Sequence, residues 1–165
     1  MSNVVRFSQW NGSDDPCFDV SDVIGEICDA LELRSRRKGV QFEIDSPPYT
    51  MLHGEREPFR AVLQLLVVQA MEVTPQGGTL VITSFEDPHG VEVEVADSGP
   101  GIAQLFAEHQ TEFDAGLAEQ KKARGVADLY RLVAALGGEI QVQDCREGGA
   151  AITVHFPQYL QRAAA

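Results

Sequence analysis

The sequence predicts an α+β domain built as a two-layer sandwich, with a mixed, mostly antiparallel sheet and helices packed on one of its faces. Three observations lead there. Two stretches carry apolar residues at helical spacing: Val23, Ile27 and Leu31 in one, and Phe59, Val62, Leu63, Leu66, Val67, Ala70 and Met71 in the other. Residues 79–85 and 91–96 read as strands joined by the turn Asp87-Pro88-His89-Gly90. A second pair of strands follows the glycine pair Gly137-Gly138. Two hairpins mixed with helices favour an antiparallel sheet covered on one side.

In chain order, residues 1–16 form a polar leader with a short strand at 4–7, and residues 18–20 add an edge strand. Ser21 suits a helix N-cap with Asp22 in the first turn. Val23, Ile27, Ala30, Leu31 and Arg34 continue that helix to about Lys38. Its basic end, Arg34, Arg36, Arg37 and Lys38, complements the helix dipole. Residues 40–44 alternate as a strand, Ser46-Pro47-Pro48 makes a turn, and residues 50–53 form another short strand. The longest apolar helix covers residues 57–73 and ends at Thr74-Pro75-Gln76-Gly77-Gly78. After the first hairpin, residues 101–124 are polar and weakly periodic apart from a turn of helix near Leu105 and Phe106. A segment of that length reads as a functional lid. A last helix starts at Gly125, turns Val126, Leu129, Leu132, Val133 and Leu136 inward, and is capped by Gly137-Gly138. Strands at 139–142 and 151–156 close the domain, which spans residues 17–157, and residues 158–165 form a tail.

Composition narrows the function. The 165 residues suit one domain with a sizeable core. With 13 Lys and Arg against 25 Asp and Glu, the formal charge of −12 excludes a nucleic-acid or anionic-membrane surface. No apolar run approaches the ~20 residues of a membrane span. The first residues lack the layout of a signal peptide, so the expected location is cytoplasmic. Cys17, Cys28 and Cys145 form no CxxC pair and are expected as buried, reduced thiols.

The sharpest local signal is Asp97-Ser98-Gly99-Pro100-Gly101-Ile102, directly after an alternating strand. A carboxylate there accepts a hydrogen bond from an exocyclic amine such as that of adenine, and the glycines let a ligand approach the backbone. Alone, the same residues make an ordinary Asp-Ser-Gly turn. They do not stand alone. VEVEVADSGPGI resembles the first glycine box of the ATPase domain shared by sensor histidine kinases, a heat-shock chaperone family, DNA gyrase and MutL, the GHKL group. LLVVQAMEVTPQGGTLVIT resembles that group's N-box helix and following strand. KARGVADLYRLVAALGGEIQV resembles the second glycine box, GGAAITVHFP the closing strand, and FDVSDVIGEICDALELRSRRKGVQFEID the lead-in. The set falls in the family's order. It implies the Bergerat ATP-binding fold and ATP or ADP as ligand.

Carried over residue by residue, the resemblance makes Asp97 the receiver of the adenine amino group, and Gly99 and Gly101 the glycines beneath the base and at the lid hinge. It makes Gly125 the second glycine of a phosphate-binding pair, where helix N-terminal amides suit an anion; a cap glycine is the alternative. Lys122 and Arg124, with Lys121, lie at the lid's end, either to grip phosphates or as a solvated basic patch.

Three positions depart from the pattern. Gln69 stands where the family has the asparagine that helps hold Mg²⁺. Its extra methylene displaces the carbonyl oxygen, and Mg²⁺ tolerates little displacement, so weakened metal binding is expected. Ala123 replaces the first glycine of the second box, and Ala150 replaces a threonine near the base. The turn before Gln69 holds Gln64 and Leu65, neither able to act as the general base of the hydrolytic members. Glu72 reads as a solvated or pocket-edge charge. His53, His89, His109 and His155 occupy turn, lid or strand contexts and read as structural. His109, Glu112 and Asp114 have no recognised metal-ligand spacing.

The chain begins almost at the ATPase-like segments, without the family's two-helix segment bearing the phosphorylated histidine. The expected function is a stand-alone histidine-kinase-type nucleotide-binding module in bacterial signalling, binding ATP or ADP weakly without efficient phosphotransfer. Its expected partner is a signalling protein: a kinase, a response regulator, or a protein of the sigma or anti-sigma type. A nucleotide-free pseudo-kinase scaffold and an anti-sigma-factor-like serine kinase are the alternatives. An ATP-driven clamp like MutL or gyrase is disfavoured.

Overall fold

The computed structural model describes residues 16–99, 117–144 and 149–161. The strand expected at 4–7, most of the lid with Gly101, the turn near Leu105 and Phe106, Cys145, and the trio His109, Glu112 and Asp114 lie outside the described residues.

Strand β1, Cys17–Asp19, pairs antiparallel with β3, Met51–His53. Only Phe18 of β1 points inward, which leaves Cys17 exposed rather than buried as expected. Helix α1, Val20–Lys38, follows without a break. Its N-cap is Asp19, not Ser21. One Asp19 oxygen accepts both the Ser21 backbone N–H and the Ser21 hydroxyl at 2.9 Å, and the other accepts the Tyr49 N–H at 2.6 Å. The two oxygens of a carboxylate accept all three of these hydrogen bonds, one more than the two lone pairs of a hydroxyl allow. Desolvation works against its ionisation, but the hydrogen bonds from Tyr49 and Ser21 prevail and hold its carboxyl below the usual carboxylate range.

Helix α1 buries Val20, Val23, Ile24, Ile27, Cys28, Leu31 and Ser35, whereas Ala30 and Arg34 face solvent. Gly39 ends it in the left-handed conformation, φ 73°. Strand β2, Gln41–Asp45, then runs parallel to β4, Thr79–Asp87, and helix α2, Arg56–Val73, lies within the crossover that parallel pairing requires. The basic end of α1 reaches beyond its own dipole. Lys38 Nζ donates to the carbonyls of Met71, at 2.6 Å, and of Glu72, in the last turn of α2. Arg34 pairs with Glu72 at 2.6 Å.

Strand β5, Gly90–Asp97, completes the first hairpin, and the Asp87 carboxylate fixes its turn by accepting the His89 and Gly90 N–H groups. Helix α3 spans Leu117–Ala135, followed by β6, Glu139–Asp144, and β7, Ala150–Pro157. The sheet order is β2-β4-β5-β7-β6, with only β2–β4 parallel. The expected mixed, mostly antiparallel sheet with helices on one face is therefore present.

Between the layers, Ile24 and Ile27 of α1 and Leu63 and Val67 of α2 face Ile82, Val93 and Val95 of the sheet. The fully buried ring of Phe59 packs against Phe18 at 5.0 Å and Phe156 at 4.8 Å, tying the small sheet to the large one. Residues 158–161, expected as a tail, belong to the domain: Leu160 is buried, and its N–H donates to the carbonyl of His53 at 2.8 Å. Among the described residues, no helix is long and apolar enough to cross a membrane.

Candidate functional site

Asp97 closes β5, opposite Leu80 of β4 and Ala150 of β7. It is a buried carboxylate at the end of its strand, only 5% exposed. Its Oδ1 accepts the Gly99 N–H at 2.9 Å, which bends the chain as soon as the strand ends. Ser98 pins that bend to the neighbouring strand: its hydroxyl accepts the Thr79 N–H at 2.9 Å, and its own N–H donates to the Thr79 carbonyl at 3.1 Å. Gly99 is buried, and a β-carbon there would lie 2.7 Å from Cδ of Pro75.

Gly149, which the sequence reading passed over, forms another wall. It has φ 91°, and any β-carbon would collide with the Asp97 carbonyl. The available signal was the glycine pair just before a strand. Ala150 beside it is fully buried. Gly99 and Gly149 thus pack without side chains against Pro75 and the Asp97 backbone, and Ala150 lies opposite Asp97 across the strand pair.

The second pair of expected residues, Gln69 and Gly125, meets between α2 and α3. Both are half-buried. A β-carbon at Gly125 would lie 2.5 Å from Gln69 Nε2, 2.9 Å from Cδ and 3.1 Å from Oε1. Gln69 turns towards α3, and its amide fills the space that Gly125 leaves open.

One expectation fails here. Helix α3 starts at Leu117, so Gly125 sits two turns inside it instead of at its N-terminus. Amides that deep bond within the helix and are not presented to an anion. Ala118, Glu119, Gln120, Lys121, Lys122, Ala123 and Arg124 are strong helix formers, which explains the earlier start. The side chains of Lys122 and Arg124 lie outside what the structure describes, as does Gly101.

Around Gln69, Leu65 packs on the core, and Glu72 is committed to Arg34. His53 stacks on Tyr159 with ring centres 4.9 Å apart, a structural use of the ring. Among the described residues, no three His, Cys, Asp or Glu side chains gather as a metal site.

Residues 54–160 match the family of histidine kinase-, DNA gyrase B-, and HSP90-like ATPases. The chain belongs to this family. The ATPase domain is 28% identical over 144 residues to sporulation kinase A of Bacillus subtilis, covering 85% of this chain and 23% of that protein. It is 33% identical over 136 residues to the signal transduction histidine-protein kinase/phosphatase MprB of Mycolicibacterium paratuberculosis, covering 79% of this chain and 26% of that one. The chain thus spans about a quarter of the length of these relatives. Among solved structures, the catalytic domain of histidine kinase ThkA superposes with a TM-score of 0.74 at 21% identity, covering 90% of this chain and all of that one. Acinetobacter baumannii histidine kinase AdeS gives 0.67 at 25% identity, over 87% of this chain and 66% of that one. The ATPase domain is accordingly of the histidine-kinase type used in signal transduction.

Proposed function

We propose that this ATPase domain binds ATP or ADP weakly and transfers phosphate inefficiently, acting with a signalling partner such as a response regulator. The observation that carries the reading is the buried carboxylate of Asp97, held at a strand end between Gly99 and Gly149. In this reading Asp97 accepts the adenine amino group, Gly99 lies beneath the base and Gly101 serves the lid. In sequence, Lys122 and Arg124 belong to the phosphate end, where Gln69 is a poor substitute for a metal-holding asparagine. The support for weakness is local: Gln69 is packed on Gly125, Gly125 is interior to α3, and Ala150 brings no hydroxyl. Related proteins support the ligand and partner classes. A structure of ShkA holds AMPPNP, and ThkA has been solved with its response regulator TrrA.

The same three features favour a second reading, a protein-binding scaffold without nucleotide. Calorimetric titration with ATP and ADP separates the two, with Asp97→Asn as the paired variant. Measurable binding that Asp97→Asn abolishes is the expected result. Absent binding, or binding indifferent to that change, would leave the scaffold.

A further inference from the structure

We infer that the site holds its nucleotide without a divalent cation. This rests on the nucleotide reading above and concerns Gln69, which stands where the family resemblance puts the metal-holding asparagine. Its amide is already seated. The space for a β-carbon at Gly125 is occupied by the carboxamide, with its terminal atoms 2.5 Å and 3.1 Å from that position. The two values differ by the identity of the atom, so one terminal atom crowds Gly125 whichever way the amide is turned.

Glycine inside a helix costs about 0.5–1 kcal/mol relative to alanine. Here that cost opens the seam between α2 and α3 for the Gln69 amide. To reach a cation, the side chain would have to leave this packed position and give up its contact with α3.

No other described side chain takes its place. One turn earlier the helix holds Gln64 and Leu65, without a carboxylate. One turn later, Glu72 is bonded to Arg34 at 2.6 Å. Mg²⁺ requires near-octahedral oxygen ligands at about 2.0–2.1 Å, and the donor set does not fit that demand. An uncomplexed polyphosphate still needs countercharge. In sequence, Lys121, Lys122 and Arg124 directly precede Gly125 and carry the charge that this need calls for.

The test uses the unmodified chain, titrated with ATP in magnesium buffer and again with the cation removed by EDTA. The expected dissociation constants agree within about threefold, or favour the EDTA sample. Binding that weakens more than this on chelation overturns the inference. If Asp97→Asn also abolishes that metal-dependent binding, the nucleotide reading survives alone. No binding in either buffer sinks both. In Gln69→Asn the shorter side chain withdraws from Gly125, so magnesium is expected to tighten ATP binding by more than about threefold. A folded Gln69→Asn chain that stays indifferent to magnesium refutes the role given to Gln69.

Discussion

Cys17 and Cys28 differ sharply in exposure. Cys28 lies on the buried face of α1, where burial, aided by the charge of Asp29, pushes its thiol up to about 11. Cys17 sits on the outward side of a three-residue strand. Because the thiolate is the reactive form, Cys28 is almost wholly protonated at pH 8, with about one thiol in a thousand ionised. Iodoacetamide at that pH should modify Cys17 in the native protein and reach Cys28 only after denaturation. Peptide mass spectrometry reads the difference, and equal labelling of the two would show that α1 does not shield Cys28. The contrast between these thiols was not legible in the sequence, because burial of a single residue in a short edge strand depends on register. Asp19 was missed as a cap for a related reason: its second partner, Tyr49, is thirty residues away. Asp97 was legible, because its environment is set by the adjoining Ser98 and Gly99.

Helices α1 and α2 were read accurately because their apolar spacing is strong, and α3 was read eight residues short because its first turns have none. The signal in those turns is propensity: Lys, Glu, Gln, Arg and Ala favour helix without marking a buried face. The displaced start matters, since it converts Gly125 from an expected anion-binding end into a packing glycine under Gln69. Contacts between helices were equally hidden. The basic end of α1 looked like self-complementation, yet Lys38 caps the carbonyls at the end of α2. Those carbonyls have no intrahelical partner and carry the negative end of the dipole. Replacing Lys38 by Met should therefore cost about 1 kcal/mol in urea unfolding. Arg36→Ala removes an exposed pair with Glu32 on the same helix and should cost less than about 0.5 kcal/mol. Equal losses would reduce Lys38 to an ordinary surface charge.

The molecule as a whole is closed by a segment that looked dispensable. Residues 158–161 contain one strongly apolar side chain and no period, so pattern alone marks them as a tail. In the structure they tie β3 to the end of α3. The Gln158 carbonyl accepts the His53 N–H at 3.0 Å, its side chain donates to the Met51 carbonyl, and the Gln161 N–H donates to the Leu136 carbonyl after α3. Leu160 lies against Gly54, where a β-carbon would be 2.8 Å from its own. The small β1–β3 sheet is thereby fastened to the strand ends of the large sheet, and β1 carries the Asp19 cap from which α1 starts. Helix α1 in turn braces the end of α2, the helix that presents Gln69. A chain ending at Pro157 loses the burial of Leu160 and several backbone bonds, a cost of about 2–4 kcal/mol. Against a total stability of about 5–15 kcal/mol, that loss lowers the melting temperature visibly. A chain ending at Gln161 retains every one of these contacts and should melt with the 165-residue chain. Calorimetry of the two truncations decides the matter: if both melt together, the last residues are a tail after all, and the small sheet is held by its core side chains, Phe18 and Leu52 among them.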